Sequence, residues 1–108
     1  GASAALKMLW TGEVLKADEA LRLGLVDQVV PADDHRATVM ELAQKLAAAP
    51  AVSVEMAKRA VCRCCNSNLP EMLQFEMEAQ QACWESADST EGIMAFVEKR
   101  KALFNQGR

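Results

Sequence analysis

From Asp33 onward, apolar positions recur three and four apart, the spacing of one face of an α-helix. Asp33 or Asp34 can cap a helix running to about Ala48, with Val39, Leu42, Ala43 and Leu46 on one face. Pro50 breaks that run. A helix over roughly 52–65 follows, with Val54, Ala57, Val61 and Cys64 inward. Asn66-Ser67-Asn68 is a turn cluster, and Pro70 suits the first position of the next helix. The inner stripe of that helix reads Leu73, Met77, Gln80 or Ala79, and Trp84. Asp88 and Glu91 have the spacing of a capping box for a last helix to about Lys101, with Ile93, Phe96 and Val97 as its apolar face.

Ahead of Asp33 the pattern is shorter. Residues 2–10 read as the tail of a helix, stopped by Gly12 in a left-handed conformation. Residues 17–23 make a short helix, acidic in its first turn and basic at Arg22, which complements the helix dipole. Gly24-Leu25 is the glycine-then-apolar signature of a Schellman cap. Val26–Val30 is the one credible extended segment, closed by Pro31. One short strand makes no sheet, so this segment pairs elsewhere or remains a loop. The expected fold class is mainly α: about five helices, three of them substantial, and one short extended segment.

Composition agrees. Of 108 residues, 51% are apolar, and 19 of those residues are alanine, whereas valine, isoleucine, phenylalanine and tryptophan together give 15. That balance favours helices over strands. The net charge of −3 does not fit bulk electrostatic binding of nucleic acid. The distribution is uneven: residues 1–90 carry 8 basic and 13 acidic side chains, and residues 91–108 carry 4 and 2. A small basic tail on an acidic body suits one anionic ligand better than a polyanion. No apolar run approaches the roughly 18 residues of a membrane span, and no secretory leader opens the chain. Three of the four cysteines, Cys62, Cys64 and Cys65, crowd into four positions, which is poor geometry for a disulfide framework and makes a reducing cytoplasm the expected home. Cys62 and Cys65 share a helical face, but a closed zinc site needs four ligands, so no metal is expected and the thiols are read as buried or half-buried. His35, beside Asp33 and Asp34, reads as a surface residue in a helix first turn, and Glu13, Asp18 and Glu19 as charges placed by the helix dipole.

Taken consecutively, the segments carry a resemblance. Trp10-Thr11-Gly12-Glu13, then Ala17-Asp18-Glu19-Ala20 and Gly24-Leu25-Val26 through Val30-Pro31, resemble the "TG-x-x-x-x-A-x-E-A-x-x-x-GLV-x-x-V-x-P" stretch of the crotonase superfamily, the enoyl-CoA hydratases and isomerases. Leu42-Ala43, Lys45-Leu46-Ala47 and Ala57-Lys58 continue it, and Glu91-Gly92 through Ala95-Phe96 and Glu98-Lys99-Arg100 to Phe104 are similar to the family's "EG-x-x-AF-x-EKR-x-P-x-F" tail, with Ala102 where many members have proline. The resemblance implies the part of the protein after the family's spiral core. Residues 1–31 would be the end of that core and residues 32–108 a C-terminal helical oligomerisation region.

None of the family's oxyanion-hole or catalytic-acid motifs falls in this stretch, so the resemblance assigns no catalytic residue and this chain alone is expected to be inactive. It does imply coenzyme A contact. The family's aromatic lies against the adenine and its lysine meets the phosphates, positions held here by Phe96 and Lys99. Three apart on one helical face, both can address one ligand, a coenzyme A thioester such as an acyl-CoA. By periodicity alone Phe96 is a core residue, and Lys99-Arg100-Lys101 is a solvated helix end. The resemblance also implies self-association, as a trimer or a helix-exchanged oligomer. The alternative reading is a stand-alone truncated helical oligomer acting as a non-enzymatic binding or interaction module.

Overall fold

A computed structural model describes residues 1–106, so Arg108, counted above in the basic segment, lies outside the described residues. There are six α-helices among the described residues: α1 (Ala2–Thr11), α2 (Ala17–Arg22), α3 (His35–Ala47), α4 (Ala51–Cys64), α5 (Leu69–Trp84) and α6 (Ala87–Val97). The segment read as a helix tail is a helix of its own. A 3-10 turn over Ala32–Asp34 leads into α3. Residues 26–30 form no strand and remain a loop. Compactness divides the chain into Gly1–Val39 and Met40–Arg108.

In the first unit the glycine signals are met. Gly12 closes α1 at φ 64°, its N–H donating to Met8 O. Gly24 has φ 71°. Its N–H donates to Leu21 O (3.0 Å) and that of Leu25 to Ala20 O (2.9 Å), the paired bonds of a Schellman motif. The acidic side chains pair locally, Glu13 with Lys7 (2.8 Å) and Glu19 with Arg22. The hydrogen bond from Arg22 holds the Glu19 carboxyl below its ordinary range. His35 is exposed at the start of α3.

In the second unit α4 packs on α5 and α5 on α6. Pro70 stands second, not first, in α5. The cap is Asn68, whose side chain accepts from Glu71 N–H (3.0 Å) while the Glu71 carboxylate accepts from Asn68 N–H (3.1 Å). At α6 the cap is Ser86, which accepts from Ser89 N–H (3.3 Å). The expected Asp88–Glu91 capping box is therefore not formed, and both carboxylates serve the chain beyond the helix.

The inner faces differ most from expectation. Among the described residues only Phe75 (4% exposed) and Ala95 (2%) are buried. Val61, Leu73, Met77 and Trp84, all expected inward, are exposed, as are Val39, Leu42 and Leu46 of α3. Met56, Ala60, Met72, Phe75 and Ala79 are the sheltered positions between α4 and α5. On α5 both the Leu73–Met77–Trp84 stripe and the Met72–Phe75–Ala79 stripe are apolar, so periodicity alone does not choose which one meets a neighbour.

Candidate ligand-contact site at the end of the last helix

Helix α6 ends at Val97, four residues before the expected Lys101, because Lys99 takes the left-handed conformation (φ 54°). Lys99 N–H donates to Phe96 O (3.3 Å) and Arg100 N–H to Ala95 O (3.0 Å). This is the same motif that Gly24 makes after α2, with a lysine in the glycine position. Phe96 and Lys99 therefore do not share a helical face. They are adjacent through the cap, Phe96 on the last turn and Lys99 at the residue that terminates it.

Phe96 is 86% exposed, which overturns its reading as a core side chain. It borders a groove of about 390 Å³ with Trp84, Ile93, Phe104, Pro50 and Gly92. Gly92 lies against Phe104, where a Cβ would stand 3.5 Å from the ring, an ordinary contact distance.

The three basic residues of the tail have separate fates. Arg100 donates from Nη1 and Nη2 to the two carboxylate oxygens of Glu91 (2.6 and 2.9 Å), and from Nε to Glu98 (2.6 Å). Glu91 also accepts from Leu103 N–H (2.7 Å). These bonds, the Arg100 guanidinium first, pull the Glu91 carboxyl down to about 2. Glu91 and Glu98 hold the guanidinium above its already high range. Arg100 is thus a fastener whose charge is neutralised locally. Lys99 and Lys101 make no ion pair among the described residues.

A second anchor is Asn105, also left-handed at φ 62°. Its N–H donates to Asp88 Oδ1 (2.7 Å). Its amide donates to Ala49 O (2.8 Å) and Ala47 O (3.3 Å) and accepts from Ala51 N–H (3.2 Å). The chain after α6 is thereby tied to the turn between α3 and α4. Sequence reasoning missed Asp88, Glu91 and Asn105 in these roles. A bond over nine residues has no periodic signature, although an asparagine two residues before a glycine marks an irregular backbone.

Elsewhere Cys62, Cys64 and Cys65 are exposed, against the expectation of shelter, and Cys83 is half-buried. Cys62 and Cys64 stand in the last turn of α4 and Cys65 caps it, whereas Cys83 is in α5. The hydrogen bond with Cys65 pushes the Cys64 thiol above its ordinary range. No group of three or more histidine, cysteine, aspartate or glutamate side chains among the described residues is placed to hold a metal ion. No helix among them is long and apolar enough to cross a membrane.

The family model described as enoyl-CoA hydratase/isomerase matches residues 1–107. The short-chain-enoyl-CoA hydratase of Clostridium acetobutylicum is 37% identical over 101 residues, 94% of this chain and 39% of that protein. An enoyl-CoA hydratase from Geobacillus kaustophilus superposes with a TM-score of 0.89 at 36% identity, over 95% of this chain and 39% of that one. The enoyl-CoA hydratase of Bacillus anthracis gives 0.87 at 33% identity, over 94% and 39%. The chain spans about two fifths of the length of the relatives it matches.

Proposed function

Because this chain belongs to the enoyl-CoA hydratase/isomerase family, we propose that it is the C-terminal helical part of such a protein, contributing subunit assembly and coenzyme A contact. Catalysis is assigned to residues outside this chain. Hydration of an enoyl thioester needs an acid/base pair and preorganised donors for the enolate oxygen. The exposed end of α6 offers an aromatic face and a lysine, groups that bind but do not carry out that chemistry.

The observation that carries the reading is the exposure of Phe96 beside Lys99. An aromatic ring left open next to an unpaired ammonium suits a ligand with a planar base and phosphates. The groove lined by Trp84, Ile93 and Phe104 gives the base an apolar wall. Glu91 and Glu98 support this by fastening Arg100, which leaves the Lys99 charge to the ligand. The assembly role rests on the apolar faces of α3, α4 and α5, which this chain does not cover. A trimer or an exchange of helices between copies would cover them. The four free cysteines suit a reducing cytoplasm.

Sedimentation equilibrium of the chain, with and without coenzyme A, tests both parts. The expected result is an oligomer that tightens with coenzyme A and loses that response in the Phe96→Ala/Lys99→Ala variant. A folded oligomer indifferent to coenzyme A would leave the chain as an interaction module. A well-folded monomer would overturn the assembly role. No hydration of crotonyl-CoA is expected even at high chain concentration.

A further inference from the structure

We propose that Cys64 and Cys65, at the exposed end of α4, form a two-thiolate binding site for a soft monovalent cation, Cu(I). Their sulfurs lie 3.9 Å apart. A metal bonded to two thiolates at about 2.3 Å, the length zinc makes to sulfur, holds them about 3.8–4.6 Å apart as the angle at the metal opens from tetrahedral to linear. An ion with two ligands sits at the wide end of that range, so the sulfurs open by about half an ångström, and each S–H proton passes to solvent as its sulfur–copper bond forms.

The surroundings select the kind of ion. Zinc needs four ligands and the hard divalent ions need six or more oxygens, and no third or fourth ligand converges here. A soft ion content with few sulfur ligands is what remains. Thiol chemistry of other kinds fits less well. A disulfide would need the sulfurs at about 2.05 Å between sequence neighbours, across a strained ring. The backbone explains why the pair converges. Cys64 is the last residue of α4, and Cys65 follows as its cap at φ −76°, ψ −14°, still helical. Ordinarily, neighbours on a helix diverge by about 100°. Here the Cys64 thiol folds back one turn to donate to Val61 O (3.0 Å), and the Cys65 sulfur lies beside it. Both side chains are exposed, which gives an ion its entry path. Cys83 hydrogen-bonds with Ser53 Oγ on the side of the unit where α4 meets α5 and takes no part.

The test is competition for Cu(I) under anaerobic, reducing conditions, with the ion supplied as its bathocuproine complex. The chain is expected to withdraw about one Cu(I) per molecule, and X-ray absorption should show sulfur neighbours alone. Cys64→Ser and Cys65→Ser should each weaken capture at least tenfold with unchanged circular dichroism, whereas Cys62→Ser and Cys83→Ser should retain it. Failure to withdraw Cu(I), capture by Cys64→Ser or Cys65→Ser as strong as that of the unsubstituted chain, or loss in Cys83→Ser alone would overturn the proposal. Retention of zinc through gel filtration in place of copper would overturn the choice of ion.

Discussion

Glu91 reaches past the end of its own helix to clasp Arg100 through both carboxylate oxygens, at 2.6 and 2.9 Å, and receives the N–H of Leu103 as well. One side chain thus fixes the path of the residues that follow α6. The same fold-back places Lys99 at the turn and leaves Phe96 open, so the candidate site is built by a carboxylate that never touches the ligand.

That carboxylate makes the fold acid-sensitive. Its pKa is about 2 in the folded chain against an ordinary 4.5. A lowered folded pKa contributes stability above the unfolded value, and that contribution fades as pH falls from about 4.5 through 2. Thermal melts at fixed chain concentration should show Tm falling across this window. Glu91→Gln should melt a few degrees lower at pH 7 and show a shallower acid slope, because the titrating group is gone.

Lys99 pays a conformational penalty where it stands. A non-glycine residue in the left-handed region costs about 1–2 kcal/mol, partly offset in a glycine variant by the looser unfolded chain. Lys99→Gly should therefore stabilise the fold by about 0.5–1 kcal/mol in urea melts. It should also weaken the coenzyme A response. Gain of stability with loss of ligand response separates a binding role for the lysine from a structural one.

Asn105 carries the opposite expectation. Asn105→Ala removes three hydrogen bonds to Ala47, Ala49 and Ala51 and leaves a Cβ-bearing residue at φ 62° without compensation. A loss of about 2–4 kcal/mol is expected in urea melts. Asn105→Gly should recover about 1 kcal/mol of that, the backbone share.

Phe75 and Phe96 test the division between core and surface. Phe75 is buried against α4, with the Arg63 guanidinium 4.7 Å from its ring centre. Phe75→Ala should cost about 3–4 kcal/mol. Phe96→Ala should cost less than about 0.5 kcal/mol in the isolated unit. An equal loss in both would mean that Phe96 is covered in solution, which the oligomer mass would then explain.

Local chemistry was readable before any coordinates. Gly12, Gly24 and the breaks at Pro50 and Asn66-Ser67-Asn68 are read from residue types, because a left-handed turn or a missing N–H is a property of one or two residues. The motif of residues 91–104 pointed to the end of the last helix in the same way. The details of that end were not readable: the helix stops at Val97 because Glu91 and Arg100 meet across nine residues, and neither spacing nor propensity encodes that meeting.

The sequence by itself determined the helices, their stops other than that of α6, and the family, since these follow from short-range periodicity and from motifs kept in register. Only the tertiary structure decided which apolar stripe is inside. Val61, Leu73 and Trp84 have the spacing of a core and lie exposed, whereas Met56, Phe75 and Ala95 are sheltered. A helix apolar on two sides must be told by its neighbours which side to bury, and that is settled by packing between helices distant in the chain.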